Sequence, residues 1–116
     1  MISLHYWSHE ASFSQIDFIN KKELVSWLVE NLVVFSNKYS EYNRHTESEA
    51  HKVNFEIDLQ NAESDQDIEK VLENWENLCN NDFLKLKQVR KLLNTNSLVY
   101  YVNDKFAYEY LSLHKF

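Results

Sequence analysis

Apolar residues between Lys22 and Tyr42 recur at helical spacing. On a helical wheel one continuous row is formed by Leu24, Leu28, Phe35, Tyr39 and Tyr42. Further valines and Trp27 widen this row on both flanks, so that only a narrow polar strip is left. We therefore expect one long helix over residues 22–42, packed from several directions, which begins at an N-cap on Asn20 with Glu23 at its third position.

Strict alternation of apolar and polar residues predicts two strands. The first runs along residues 2–7. The second lies between His51 and Gln60, where every second residue is apolar: Val53, Phe55, Ile57 and Leu59. This strand would have a core face and an acidic face that carries Glu56 and Asp58. Residues 43–50 are polar and predict a loop, while residues 9–19 predict an apolar lid or a short helical turn.

Two further helices are predicted in the second half of the chain. Ser64 can cap the first of them, whose buried stripe consists of Ile68, Val71, Leu72, Trp75, Leu78 and Cys79. The second, over residues 82–93, would bury Phe83, Leu86, Val89 and Leu93 and turn Lys87 and Lys91 outward with Leu84 between them. Asn94–Asn96 supplies its stop.

Residues 97–116 predict a β-hairpin that turns at Asn103–Asp104, and two registers remain open. A two-residue loop places on one face Val99, Tyr101, Phe106, Tyr108 and Tyr110. A three-residue loop instead groups Leu98, Tyr100, Val102, Phe106, Tyr108 and Tyr110. In both registers each face keeps apolar or aromatic groups, so either helices cover both faces or one face meets a partner.

The elements would follow one another as β-α-β-α-α-β-β. This order predicts a single α+β domain over residues 1–116, with a mainly antiparallel sheet of about four strands packed on the long central helix. A chain of 116 residues is long enough for one core and short for two.

The chain contains no glycine and no proline. Phosphate-binding loops and the nucleophile turn of hydrolases require glycine at fixed positions, which excludes these sites. Positive φ angles must then fall to asparagine or aspartate. The single Cys79 and the absence of a visible secretory signal favour a cytoplasmic protein.

The net charge of −6 is unevenly distributed. Residues 41–82 contain twelve acidic and three basic residues, which leaves −9 there and +3 in the remainder. Asp65, Glu69, Glu73 and Glu76 recur at helical spacing as an acidic ridge, which Glu56 and Asp58 could extend. Such a surface attracts a basic protein. Aromatic anchors at its rim would be Trp7, Tyr42, Tyr108 and Tyr110.

The sequence offers weaker signals for acid–base catalysis, metal binding and nucleic-acid binding. Glu56 and Asp58 on one strand face could act as acid and base, although alternation places polar residues on any solvated strand. The five histidines match no metal-ligand spacing, and the basic group around Arg90 is typical of a solvated helix face. We expect a protein that is not an enzyme, has no cofactor or metal, and binds neither nucleic acid nor membrane.

In size, acidity and absence of catalytic motifs the chain resembles bacterial immunity proteins, which neutralise toxins such as nucleases. The resemblance covers this general profile and implies a small acidic inhibitor that covers the active cleft of a basic partner in a 1:1 complex. The alternative is a structural or regulatory module, cellular or phage-encoded, that forms a homodimer through the aromatic C-terminal hairpin.

Overall fold

The computed structural model of the chain describes residues 1–8, 13–36, 44–80, 83–102 and 107–115. Two strands, four helices and two more strands follow in chain order: β1 (Ile2–Ser8), β2 (Phe13–Phe18), α1 (Lys21–Leu32), α2 (Arg44–Asn61), α3 (Asp65–Trp75), α4 (Leu86–Thr95), β3 (Ser97–Val102) and β4 (Ala107–Lys115). A 3-10 turn, Glu76–Leu78, follows α3. The strands form one antiparallel sheet in the order β2-β1-β4-β3. The α+β class and the four-stranded antiparallel sheet are confirmed, whereas the predicted order of elements is wrong.

The predicted strand over residues 51–60 is part of helix α2, which also takes in most of the predicted loop. Residues two apart on a helix project in nearly opposite directions, whereas residues four apart share a face. Phe55 and Leu59 are fully buried, while Val53 and Ile57 are 59% and 52% exposed. The alternating apolar residues therefore form two ridges on opposite sides of a helix, one in the core and one in solvent.

Helix α1 is shorter than predicted because the chain becomes extended at Val33. Val33 forms a parallel bridge with Leu84, and Phe35 forms an antiparallel bridge with Cys79. Val33 and Phe35 thus fill the core from an extended segment, and residues 37–43, which include Tyr39 and Tyr42, lie outside the described part. The predicted N-cap is confirmed, since Asn20 Oδ1 accepts a hydrogen bond from the Glu23 amide at 3.0 Å.

The segment predicted as a lid or helical turn contains strand β2, which pairs with β1 along its whole length. Only Phe18 of β2 is fully in the core, and Phe13 is exposed, so the period-two signal in the sequence is weak there. Strand β1 itself is confirmed.

Helix α4 begins at Leu86, four residues later than predicted, and the burial of Leu86, Val89 and Leu93 is confirmed. Two neighbouring assignments are reversed: Phe83 is 41% exposed, and Leu84, whose backbone bridges to Val33, is fully buried. The Ser64 cap of α3 and the asparagine stop of α4 are confirmed, since Ser64 Oγ accepts from the Asp67 amide and Asn96 has φ of 64°.

The register of the C-terminal hairpin pairs Val102 with Ala107, so four residues connect the strands. These connecting residues, 103–106, are not among the described ones. A four-residue connection and a two-residue loop place the same side chains on each face, because they differ by an even number of residues. Accordingly one face of the sheet carries Val99, Tyr101, Tyr108 and Tyr110, as the first of the two predicted registers requires.

The helices occupy one side of the sheet. α1 and α4 pack against the strands, and α2 and α3 pack against α1 and α4. The core between them includes residues of every layer, among them Leu4, Leu28, Leu72, Leu92 and Leu111, all fully buried. No described helix covers the opposite face of the sheet, and this arrangement leaves two surfaces to consider: that open face and the seam between α1 and α2.

Candidate functional site

A polar ladder joins helices α1 and α2 along their solvent side. Its three rungs lie one helical turn apart: Lys22 Nζ to the Gln60 carbonyl (3.0 Å), Ser26 Oγ to the Glu56 carboxylate (3.0 and 3.1 Å) and Lys52 Nζ to the Glu30 carbonyl (3.2 Å). The pairing shows that the helices are antiparallel. Each lysine binds a carbonyl near the C-terminal end of the other helix, where cations are favoured by the helix dipole.

A groove of about 570 Å³ lies along this ladder and is called here the α1–α2 groove. It is lined by Ser26, Val29, Glu30, Glu49, Lys52, Val53, Glu56, Ile57, Gln60 and Asn61. Its apolar part comes from buried Val29 and from the exposed ridge of Val53 and Ile57. Its rim carries three carboxylates and one ammonium group. The volume lies within the range of about 300–1,000 Å³ typical of ligand-binding clefts.

The chemistry of the groove favours a partner that is both apolar and cationic. Val53 and Ile57 expose aliphatic surface, which gains free energy when it is removed from water. The surrounding carboxylates attract lysine or arginine, whose long aliphatic stems can cover such a ridge. An acidic segment would be repelled by these carboxylates, and a wholly polar segment would gain nothing from the apolar ridge.

Most carboxylates of the predicted acidic ridge bind cations of the chain itself. Arg90 of α4 donates from Nε to Glu69 at 2.8 Å and from a terminal nitrogen to Glu76 at 2.9 Å. These hydrogen bonds raise the pKa of Arg90. Asp65 forms an ion pair of 3.1 Å with Lys21 at the start of α1. Glu73 is exposed, as Asp65 is, and among the described residues no ion pair includes Glu73.

Replacing Arg90 by methionine is expected to lower the free energy of unfolding by about 1–2 kcal/mol, because Glu69 and Glu76 would lose their shared cation. Both ion pairs are partly exposed, so the effect stays below that of a fully buried pair. Urea denaturation measures it. Lys91→Met on the exposed side of the same helix is the control, and equal losses in the two variants would contradict the bridging role of Arg90.

Glu56 and Asp58 do not share a face, contrary to the strand prediction. Glu56 points to Ser26 of α1, whereas Asp58 accepts a hydrogen bond of 2.8 Å from Trp75 Nε1 of α3. They lie two positions apart on a helix and therefore project to opposite flanks. Glu56 belongs to the α1–α2 groove, and Asp58 ties α2 to α3.

The open face of the sheet brings together three of the four predicted aromatic anchors. One residue from each strand lies in register across this face: Phe13, Trp7, Tyr110 and Val99. These three aromatic residues and one valine are called here the aromatic row. Trp7 packs on Phe13 with ring centroids 4.5 Å apart. Beside this row Tyr101 pairs with Tyr108, and both are more than half exposed. The fourth anchor, Tyr42, lies outside the described residues.

A partly buried carboxylate was missed by sequence reasoning. Glu109 on the helix-facing side of β4 accepts hydrogen bonds from the hydroxyls of Tyr6, at 2.7 Å, and Tyr100. Burial, and then the hydrogen bonds and the charge of Glu109, raise the pKa of both tyrosines. The alternation of the hairpin could have placed Glu109 and Tyr100 on one face. Nothing in the sequence indicates that Tyr6 reaches the same carboxylate from β1.

Comparison with protein-family models, with curated proteins and with solved structures found no match. In the described part of the chain, no helix has both the length and the apolar character required to cross a bilayer.

Proposed function

We propose that this protein is a stoichiometric, protein-binding inhibitor of the immunity-protein kind, which holds a basic partner such as a nuclease toxin in the α1–α2 groove. One observation carries the proposal: an exposed apolar ridge, Val53 and Ile57, is framed by Glu30, Glu49 and Glu56. Enzymes that act on nucleic acids line their clefts with lysine and arginine to bind phosphate. A carboxylate-rimmed groove competes for the same cations.

The charge of the whole chain supports this function as well. A net charge of −6 attracts a basic protein from a distance and accelerates the encounter, more strongly at low salt. The short-range fit then depends on the groove. Because the ridge carboxylates Glu69 and Glu76 are held by Arg90, the binding surface proposed here is the groove and not the ridge of α3.

The inhibitor function can be tested with the purified protein as bait in an extract of its source cells. A captured basic protein is purified and assayed for nuclease activity on plasmid DNA and on RNA, with increasing amounts of the 116-residue protein. We expect activity to fall to an end point at one inhibitor per enzyme. Capture of a protein whose activity is unaffected would contradict the proposal.

A matched pair of charge reversals tests the groove. Glu49 and Glu73 are both exposed, and only Glu49 lines the groove. Glu49→Lys and Glu73→Lys change the net charge equally, so they alter long-range attraction to a similar extent. We expect Glu49→Lys to weaken binding of the partner by at least about tenfold beyond Glu73→Lys, measured by surface plasmon resonance at several salt concentrations. Equal affinities of the two variants would place the partner elsewhere on the surface.

A further inference from the structure

Part of the open face of the sheet is apolar, although a solvated sheet face is usually polar. Antiparallel sheets with one face in water normally carry polar residues there. Here the aromatic row and the adjacent Tyr101–Tyr108 pair place six apolar or aromatic side chains on neighbouring positions of four strands. The exposed fractions are 48% for Trp7, 47% for Phe13, 54% for Val99 and 72% for Tyr101. A contiguous exposed patch of this kind marks an interaction surface.

This face also differs from the rest of the surface in charge. The described residues on this side of the sheet are Ser3, which is fully buried, and the partly or fully exposed His5, Trp7, Phe13, Gln15, Asp17, Ser97, Val99, Tyr101, Tyr108, Tyr110, Ser112 and His114. Only Asp17 among them carries a carboxylate, whereas the whole chain has a net charge of −6. Two copies of this chain, each with a net charge of −6, repel each other overall. At the open face a second copy meets almost no like charge.

The size of the face sets the expected strength of such a contact. Four strands spaced about 4.8 Å apart, each contributing about six residues, cover roughly 20 by 20 Å. Two copies would then cover about 800 Å² in projection, which is below the roughly 1,200–2,000 Å² of stable specific interfaces and fits a weak, transient contact. A dimer of this size forms and dissociates reversibly and is not permanent.

We propose that two copies of this chain pack their open sheet faces against each other about a two-fold axis. The same patch then serves both partners, as two-fold symmetry requires. Face-to-face sheets pack about 10 Å apart with interdigitated side chains, which suits the projecting rings of Trp7, Tyr101 and Tyr110. The helices, and with them the α1–α2 groove, remain on the outer sides of the pair. The dimer is therefore independent of the proposed inhibitor function.

Sedimentation equilibrium between about 1 µM and 1 mM tests this proposal. The wild-type protein is expected to shift from monomer to dimer within this range. Val99→Glu places a charge in the face and is expected to weaken the dimer at least tenfold. Val53→Glu is the matched control, because it makes the same change at a valine of similar exposure on α2 and should leave the dimer intact.

Three results would overturn the dimer: a wild-type monomer at every concentration, a dimer that tolerates Val99→Glu, or equal losses with Val99→Glu and Val53→Glu. Thermal melts at low concentration establish that both variants are folded. The nuclease titration with Val99→Glu separates the two proposals, since a variant that no longer dimerises should inhibit as the wild type does.

Discussion

Replacing Phe55 by alanine is expected to lower the free energy of unfolding by about 3–5 kcal/mol, whereas Ile57→Ala should change it by less than about 0.5 kcal/mol. Phe55 is fully buried, with ring centroids 5.9 Å from Phe35 and 6.1 Å from Trp75. Ile57 lies on the opposite side of α2 and is 52% exposed. The large difference follows from the helical geometry of this segment.

The pair of variants also separates the helix from the strand that the sequence pattern suggests. In a strand, Phe55 and Ile57 would share the core face, and both truncations would cost several kcal/mol. Urea denaturation followed by circular dichroism gives both values. Large and similar losses for the two variants would contradict helix α2.

The second large effect is expected in alkaline solution. Tyrosines of the unfolded chain ionise near pH 10, whereas burial and Glu109 raise the pKa of Tyr6 and Tyr100 in the folded protein. Above pH 10 the unfolded chain therefore binds fewer protons than the folded protein. The stabilising contribution is complete below pH 10 and is lost as the pH rises further, at up to about 1.4 kcal/mol per pH unit for each tyrosine.

Tyr100→Phe should flatten this alkaline decline, and Tyr101→Phe should leave it unchanged. Tyr100 is buried beside Glu109, while Tyr101 is 72% exposed on the other face of the same strand. The slope of unfolding free energy against pH is compared between pH 9 and 11, so a uniform loss of stability in either variant does not affect the result. Parallel slopes for wild type and Tyr100→Phe would contradict the role of this hydroxyl.

Local signals in the sequence predicted the ends of several elements. Asn20 and Ser64 cap helices in the structure because each has an oxygen that accepts from the backbone three residues later. In a chain without glycine, Asn96 ends α4 at the only positive φ of the described residues. These interactions depend on residues within one or two turns, so a single sequence contains the information they need.

Periodic patterns were less reliable where two geometries share a spacing. Residues four apart align on a strand and also on a helix, so Val53 with Ile57 and Phe55 with Leu59 satisfied both. The apolar residues after Leu32 were assigned to α1, although Val33 instead pairs with Leu84, about fifty residues away in the chain. No local pattern could distinguish these cases.

The candidate sites were harder to predict than the helices and strands, because they are formed by residues that are far apart in the sequence. The sequence shows Glu69 and Glu76 as a row of like charges, but Arg90 from another helix binds both. The α1–α2 groove likewise exists only because two helices from different parts of the chain lie side by side. The aromatic residues of the hairpin were anticipated, whereas their continuation through Trp7 to Phe13 required the strand order.

The sheet order has a consequence for how this chain folds. The two central strands, β1 and β4, are paired from Ile2 with Lys115 to Ser8 with Glu109, so they join opposite ends of the described chain. Until β4 has been synthesised, β1 can pair only with β2, and an isolated two-stranded hairpin is marginally stable in water. Pairing across so many residues also slows folding, because a large loop must close first. We therefore expect the sheet to form late, with the helices between the strands already partly assembled.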